Sequence, residues 1–360
     1  MNYLRKIFTF CLLVALSGCY SLPQRSGYKG PLPLPDEVLI YYTPVELYSS
    51  FEKFPGHSKD PRFEIYLYKL KTYLGDVLID YFKSNTSPSD DQAIIVFPVL
   101  GGRPVVEGYF AKYFAAKGFD TFIIRRNNEF KKPEYFDRLE QLFRENLIKD
   151  RIAISFLEKE LGKKQFASFG ISRGAINAAA LAGIDKRLKY NVLVLGGTNI
   201  SELFRKSDQR GIRRYLKNVI KLKGLEKNKI LAKLTESIQS DPKNLASYID
   251  SRNTLMILGA FDQTVPIKLG RKLRDQIGGP RTIFLLGNHY TSLLFTSIQP
   301  LFPPRCIANC ILPFDYVESE ALLFYHRAFK TRGIVPALIP YRILSIPFEI
   351  LGRVYEGIFY

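Results

Sequence analysis

The sequence predicts an α/β protein with a mainly parallel central sheet that is flanked by helices. Short runs of apolar, β-branched and aromatic residues alternate with longer stretches whose apolar residues recur at helical spacing, as in chains built from βαβ units. Several of the short runs contain no polar residue, which is expected of strands that are buried on both faces. The chain has 360 residues, 46% of them hydrophobic and 24% charged. That length is sufficient for one large core.

The composition excludes several classes of protein. Its proportions are close to those of soluble globular chains, which excludes a disordered tail, a collagen-like chain and a multi-span membrane protein. Four cysteines in 360 residues exclude a small domain built on disulfides. The charge is unusual, because 52 Lys and Arg against 34 Asp and Glu give a formal net charge of +18. This charge favours an anionic partner, either nucleic acid or a phospholipid surface, with a merely basic composition as the alternative.

The N-terminal segment has the pattern of an export signal. Two basic residues precede an apolar run over residues 7–16, which is too short to span a bilayer but is typical of a signal-peptide core. The run ends in Leu-Ser-Gly-Cys at residues 16–19, which resembles the lipobox of bacterial lipoproteins. The resemblance implies a signal peptide over residues 1–18 and a diacylglycerol on the sulfur of Cys19. The alternatives are an ordinary signal peptide or an N-terminal anchor, in which this cysteine is incidental.

A lipoprotein signal implies a location as well as an anchor. The protein would be exported and tethered to the bacterial envelope, at the outer membrane or the cell surface, with the periplasmic or external face left open. Export argues against nucleic acid as the partner, and a cationic body beside an anionic leaflet is then the simplest use of the charge. Residues 19–36 contain Ser, Gly and several prolines without periodicity, and this composition predicts a tether between the lipid and the domain.

Beyond the tether, residues 37–300 carry the pattern of the sheet domain. Helices are predicted over residues 109–117 and 138–161, because apolar residues recur there at helical spacing. Strands are predicted over residues 38–42, 63–67, 77–82, 93–97, 121–124, 166–169, 192–195, 254–258 and 283–286.

Two segments interrupt the alternation of strands and helices. Residues 201–236 contain eleven Lys and Arg against four Asp and Glu, with Leu and Ile at helical spacing, which predicts a basic helical insertion over about 199–250. Residues 301–360 form an apolar extension rich in Pro and Tyr. Prolines within its last part argue against one continuous transmembrane helix. Packing against the domain is the preferred interpretation, and contact with a membrane surface is the alternative.

The strand at 166–169 leads directly into Gly-Ile-Ser-Arg-Gly at residues 170–174, which a helix rich in small residues follows. A serine at such a tight turn between strand and helix exposes its hydroxyl, and the flanking glycines let neighbouring chains approach. The N–H of the next residue lies at a helix N-terminus, where it can stabilise an oxyanion. Ser172 is therefore the candidate nucleophile. A glycine-rich turn without a catalytic role is the alternative.

A serine nucleophile needs a general base, and the chain has three histidines. His57 precedes the main strands in a Pro-, Gly- and Lys-containing loop, and His326 lies in a segment that is predicted to be helical. His289 instead follows the strand at 283–286 through a glycine. Because the carboxyl ends of parallel strands meet at one edge of a sheet, we expect His289 at the same edge as Ser172.

The base needs a carboxylate that fixes its tautomer and stabilises its cation. Asp262 comes shortly after the strand at 254–258, which predicts a position at the same edge. Asp250 and Asp120 come before their strands, so they are expected at the opposite edge.

The order Ser, Asp, His along the chain is the order used by α/β-hydrolases. Residues 92–297 resemble this superfamily, nearest to its dienelactone-hydrolase and esterase branches. Four segments carry the resemblance: Phe-Pro-Val-Leu-Gly-Gly at 97–102, Gly-Ile-Ser-Arg-Gly at 170–174, Gly-Ala-Phe-Asp-Gln-Thr-Val-Pro at 259–266 and Gly-Asn-His-Tyr at 287–290. The resemblance implies an α/β-hydrolase fold in which the basic insertion occupies the position of the lid.

The resemblance also implies the roles of the site residues. Ser172 is the nucleophile, His289 the base and Asp262 the orienting acid. The oxyanion hole consists of the backbone N–H of Arg173 and a second N–H from the loop after the strand at 93–97. Leu100 is the expected second donor, with Gly101 as the alternative. No metal or organic cofactor is implied.

Two further cysteines follow the hydrolase-like region. Cys306 and Cys310 lie four positions apart. In an oxidising compartment they could pair, and the alternative is that both are small buried hydrophobic residues. No histidine lies beside them, which argues against a zinc site.

The leading functional interpretation is a lipid-anchored serine hydrolase, a carboxylesterase that acts on a small-molecule or lipid ester. A thioesterase, a peptidase or an acyltransferase would use the same three residues. The alternative from another class is a non-catalytic surface lipoprotein that uses the fold as a binding module. The native substrate, the length of its acyl chain and the oligomeric state do not follow from the sequence.

Overall fold

The computed structural model describes residues 19–86, 90–99, 105–298, 315–331, 333–336 and 338–359. Its centre is a ten-stranded sheet in the order β1-β10-β9-β8-β7-β5-β6-β4-β3-β2. The strands are β1 (Cys19–Leu22), β2 (Ser50–Pro55), β3 (Phe63–Lys71), β4 (Val77–Ser84), β5 (Gln92–Phe97), β6 (Thr121–Ile124), β7 (Gln165–Ile171), β8 (Leu188–Val194), β9 (Thr254–Gly259) and β10 (Arg281–Leu285).

The six adjacent strands β10, β9, β8, β7, β5 and β6 run parallel to one another. At one end β1 pairs antiparallel with β10, and at the other β4, β3 and β2 each pair antiparallel with the strand before them in the sheet. The central strands β5 and β9 are buried at every position, which explains why their sequences contain almost no polar residue. The mainly parallel sheet that the sequence predicts is therefore confirmed.

Helices cover both faces of the sheet. They are α1 (Asp36–Tyr41), α2 (Val105–Ala115), α3 (Leu139–Leu161), α4 (Arg173–Ile184), α5 (Ile200–Lys206), α6 (Arg210–Lys223), α7 (Lys227–Ser237), α8 (Pro242–Leu245), α9 (Ile267–Ile277), α10 (Tyr316–Ala328) and α11 (Leu338–Phe359). One apolar core contains residues of α3, α4 and α9, and the core on the other face contains residues of α2 and α10.

The segment predicted as a strand over 38–42 lies mostly in helix α1, so this prediction was wrong. The helix follows Pro35, and two acidic residues in its first turn interact favourably with the helix dipole. Strand β2 was not predicted. All of its residues are exposed, and they include two charged residues and a proline, which is a typical composition for an edge strand.

The segment predicted as a tether packs against the domain. Residues Cys19–Leu22 form β1, which pairs antiparallel with β10, and the ring of Tyr20 stacks on Phe284 with 4.7 Å between centroids. Further along, the N–H of Arg25 donates to the carbonyl of Gly279, and that of Leu32 to the carbonyl of Ser247. The exposed edge of β10 supplies unpaired backbone groups, which explains why this segment is bound rather than extended into solvent.

Helices α5 to α8 lie between β8 and β9, in the chain segment that the sequence predicts as a helical insertion. Helices α5, α6 and α7 share a small apolar core with the segment before α3 and with the first turns of α3. Its members include Phe136, Phe143, Ile200, Leu216, Val219, Ile230, Leu231 and Leu234. The outer face of α6 is cationic, because Arg210, Arg213, Arg214, Lys217 and Lys221 are all exposed.

Helix α11 lies along β1 and includes Pro347 in its interior. The hydroxyl of Ser21 donates to Glu349 over 2.9 Å, and Arg342 forms an ion pair with Glu320 of α10. A row of apolar side chains remains exposed on this helix: Ile339, Ile343, Ile346, Ile350, Leu351 and Val354. Within the described ranges, no helix combines the length and the apolar character needed to cross a bilayer.

Candidate active site

Ser172 occupies a strained turn between β7 and α4. Its φ angle is +56° and its ψ angle −121°, a conformation that is costly for any residue with a Cβ. The neighbouring glycines make the turn possible. A Cβ at Gly170 would lie 2.5 Å from the carbonyl carbon of Gly174, and one at Gly174 would lie 2.4 Å from the carbonyl oxygen of Phe97. The close approach of three chain segments thus explains both glycines of the motif.

The structure brings Ser172, His289 and Asp262 into one hydrogen-bonded row. The Oγ of Ser172 lies 2.9 Å from Nε2 of His289, and Nδ1 of His289 lies 2.7 Å from Oδ2 of Asp262. With the proton on Nδ1 donated to the carboxylate, Nε2 is free to accept the serine proton. Asp262 is 2% exposed and His289 9%, so the row is largely shielded from water.

Backbone contacts hold the carboxylate and the imidazole in place. The second oxygen of Asp262 accepts hydrogen bonds from the N–H groups of Thr264 and Val265, at 2.9 and 3.0 Å. On the other side, the side-chain oxygen of Asn288 accepts from the N–H groups of Tyr290 and Thr291. These turns after β9 and β10 fix both side chains at the carboxyl edge of the sheet.

Of the three predicted oxyanion donors, one lies within the described residues. Arg173 is the first residue of α4, where backbone N–H groups have no acceptor within the helix. Its N–H therefore remains available to an oxyanion beside Ser172. Leu100 and Gly101 lie outside the described residues.

The other histidines take no part in this row. His57 is exposed in a surface cleft of about 620 Å³. The cleft is lined by residues of the β2–β3 connection and of α2. His326 bonds through Nδ1 to Oγ1 of Thr331 over 2.8 Å. Asp250 and Asp120 are also occupied elsewhere, the former by Arg252 and the latter by Lys163 and Tyr81.

Of the cysteines predicted as a lipidation site and as a pair, the structure describes only the first. Cys19 is 3% exposed as the first residue of β1, and burial, together with the charge of Glu320, raises the pKa of its thiol. Cys306 and Cys310 lie outside the described residues. Among the described residues, no three His, Cys, Asp or Glu side chains are grouped so that they could hold a metal ion.

A cluster of cations beside the nucleophile was missed by the sequence analysis, which used only the backbone of Arg173. The guanidinium carbon of Arg173 lies 4.5 Å from the ring centroid of Phe143 and 5.0 Å from that of Phe130. Arg126 follows β6 at the same sheet edge and pairs with Asp150. Burial, together with the charge of Arg126, lowers the pKa of Arg173 to about 10.

Exposed apolar residues flank the loops that carry Asp262 and His289, and they were also missed. They are Phe261, which precedes Asp262, and Leu286, Tyr290 and Leu294 around His289, with exposures from 40% to 62%. Their signal in the sequence is an apolar residue directly beside Asp262 and beside His289, namely Phe261 and Tyr290.

Comparison with solved structures identifies the architecture. Acetyl xylan esterase 1 from Thermoanaerobacterium sp. JW/SL YS485 matches with a TM-score of 0.55 and 17% identity, over 74% of this chain and 94% of that one. The chain has the α/β-hydrolase fold. An acetyl xylan esterase from Paenibacillus sp. R4 matches the chain with a TM-score of 0.51 and 15% identity, over 71% of this chain and 94% of that one.

A peptidase shares the fold as well. Acylaminoacyl peptidase from Pyrococcus horikoshii matches the chain with a TM-score of 0.52 and 14% identity, over 77% of this chain and 43% of that one. No protein-family model matches the sequence. No curated protein matches it either. At these identities the likeness extends to the fold and not to a particular substrate.

Proposed function

We propose that this protein is a membrane-anchored serine hydrolase, a carboxylesterase that works through an acyl-enzyme. The observation that carries the proposal is the hydrogen-bonded row from Ser172 Oγ through His289 to Asp262. Such a row gives a serine a general base at hydrogen-bond distance and gives that base an orienting carboxylate. Two solved esterases with this fold are consistent with ester chemistry.

The proposed reaction uses each group once in each half. Nε2 of His289 removes the proton of Ser172 while Oγ attacks the ester carbonyl, and Asp262 stabilises the imidazolium. The N–H of Arg173 donates to the developing oxyanion. The imidazolium then protonates the departing alcohol, which leaves an ester on Ser172. A water molecule, deprotonated by His289, attacks that ester and releases the acid.

A serine-directed probe tests this proposal. The unlipidated chain from residue 19 onward and its Ser172→Ala variant are treated with a fluorophosphonate and assayed on p-nitrophenyl esters of increasing chain length. We expect labelling and turnover in the parent and neither in the variant. Ser49→Ala is the matched control, because it alters an exposed serine that is distant from Ser172 in the sequence, and it should be labelled like the parent.

Two other results would redirect the proposal. Labelling without turnover of any ester, thioester or amide would favour acyl transfer to an acceptor other than water. Absence of labelling in protein whose folded state is verified by circular dichroism would contradict the hydrolase and favour the non-catalytic binding module.

The membrane anchor is proposed on the lipobox at residues 16–19. Cys19 pairs with Leu285, four residues before His289, so an anchor there would leave the domain at the catalytic edge of the sheet. The exposed apolar row on α11 and the cations of α6 provide surface that suits a bilayer. We expect a larger soluble fraction for Cys19→Ser than for the parent, because the variant loses the lipid and keeps only the surfaces of α6 and α11.

A further inference from the structure

The guanidinium group of Arg173 has no anionic partner among the described residues. No hydrogen bond or ion pair joins it to a carboxylate, and its Nε is buried without any acceptor. Its contacts are the faces of Phe130 and Phe143. Cation–π contact offsets part of the cost of removing a guanidinium from water but leaves its N–H donors unused.

The surroundings increase the cost of this arrangement. Lys131 and Arg126 lie within electrostatic range of Arg173, and burial and then the Arg173 charge lower the pKa of Lys131. The charge of Asp241 raises the pKa of Arg173, but this carboxylate already accepts hydrogen bonds from three backbone N–H groups, those of Asn199, Ile200 and Lys243.

Asp150 does not balance the charge of Arg173 either, because this carboxylate already forms an ion pair with Arg126. Even within this pair, Nε of Arg126 and Oδ1 of Asp150 have no hydrogen-bond partner. Three cations thus converge at the carboxyl edge of β6 and β7, with unused donors on the one that directly follows Ser172.

From this arrangement we propose that Arg173, assisted by Lys131, binds an anionic group of the substrate close to its scissile ester. A carboxylate or a phosphate would accept two parallel hydrogen bonds from the guanidinium. Phe130 and Phe143 hold the guanidinium plane, so little conformational freedom is lost on binding. The inference rests on the proposed serine hydrolase and narrows its substrates to esters that carry a negative charge a few bonds from the carbonyl.

The test compares matched charged and neutral esters. The carboxylate arm uses the p-nitrophenyl ester of succinate with its free carboxylate, against the same compound with that carboxylate methylated. The phosphate arm uses butyrylglycerol phosphate against butyrylglycerol. The readout is the ratio of kcat/KM for the charged ester to kcat/KM for its neutral partner, and the arm with the larger ratio identifies the anion.

We expect Arg173→Gln to lower that ratio by about 10- to 100-fold, because a charge-assisted bidentate contact is lost. Arg173→Lys should recover part of the ratio, since it keeps the charge without the planar fork. Lys131→Gln should lower the ratio less. Lys221→Gln, which removes an exposed cation of α6, is the matched control and should leave the ratio unchanged.

An equal loss on charged and neutral esters in Arg173→Gln would overturn the proposal, because it would indicate that the side chain only supports the turn. A binding measurement separates this from failure of the hydrolase itself. Succinate and inorganic phosphate are titrated calorimetrically into Ser172→Ala and into Ser172→Ala combined with Arg173→Gln. Binding that Arg173→Gln abolishes would support the anion site without any turnover, and absence of binding to both proteins would contradict it.

Discussion

Gly174 faces the carbonyl oxygen of Phe97 so closely that a Cβ would lie 2.4 Å from it. The contact joins the first turn of α4 to the end of β5, the strand that precedes the predicted oxyanion loop. The second glycine of the motif is therefore required by backbone packing, and the nucleophile turn and β5 form one rigid unit.

Gly174→Ala should lower the free energy of unfolding by about 1–3 kcal/mol, because the methyl group forces α4 away from β5. The shift should also displace the Arg173 N–H and reduce esterase turnover. Urea unfolding and initial rates measure both effects. Gly108→Ala in α2 is the control, since a Cβ there meets no atom within 4 Å and should preserve or raise stability. Equal stability of the two variants would contradict the packing argument.

His289→Ala should reduce kcat by about 10⁴-fold or more, as Ser172→Ala does, because members of a triad act as a unit. Asp262→Asn should reduce it less, since the amide can still accept the hydrogen bonds of Thr264 and Val265. Steady-state kinetics on a p-nitrophenyl ester provide the comparison. Asp250→Asn, which alters the acid that pairs with Arg252, should leave kcat unchanged; a similar loss there would remove the distinction between the two acids.

Glu318 should make the folded state less stable as pH rises. Burial raises the pKa of this carboxyl from 4.5 to about 8, although Tyr109 and the N–H of Ser297 donate to it. The folded state therefore binds the proton more tightly than the unfolded state, and this contribution is lost as pH rises from about 4.5 through about 8. Glu318→Gln should flatten the dependence, as measured by urea unfolding at about pH 5 and about pH 9. Parallel curves for variant and parent would contradict this expectation.

The unlipidated chain should sediment with anionic liposomes, and its binding should have a salt-sensitive and a salt-resistant contribution. Replacing Arg210, Arg213 and Arg214 of α6 by Gln should reduce the fraction that salt above ~0.1 M releases. Replacing Ile343 and Ile350 of α11 by Ser should instead reduce the fraction that resists salt, because these exposed side chains are apolar. The same proteins on neutral liposomes are the control. Binding that neither set of substitutions alters would argue against both surfaces.

The position of the three candidate residues could be predicted because each of them follows a buried strand. Once the strands are parallel, their carboxyl ends meet at one edge, and Ser172, Asp262 and His289 are brought together by topology alone. Their spacing along the chain is then unimportant. The same logic placed Asp250 and Asp120 away from the site.

The parts that were missed depend on contacts between distant segments. β1 is a strand because it pairs with the otherwise unpaired edge of β10, and the sequence of Cys19–Leu22 does not indicate this pairing. Arg173 was considered only for its backbone, since its aromatic neighbours Phe130 and Phe143 come from another part of the chain. The local sequence pattern predicts helices and strands, and it predicts at which end of a strand a residue lies. The strands at the border of the sheet and the charges around a side chain depend instead on tertiary structure.

The pairing of Cys19 with Leu285 also affects when, during folding, the thiol of Cys19 becomes buried. In the export proposed above, a chain threaded through a membrane from its N-terminus would deliver β1 long before β10, its single neighbour among the described strands of the sheet. Contacts between such distant segments form late in folding. If the chain is exported as proposed, the thiol that the finished fold buries is still accessible during translocation, and this is the interval in which the proposed lipid modification would take place.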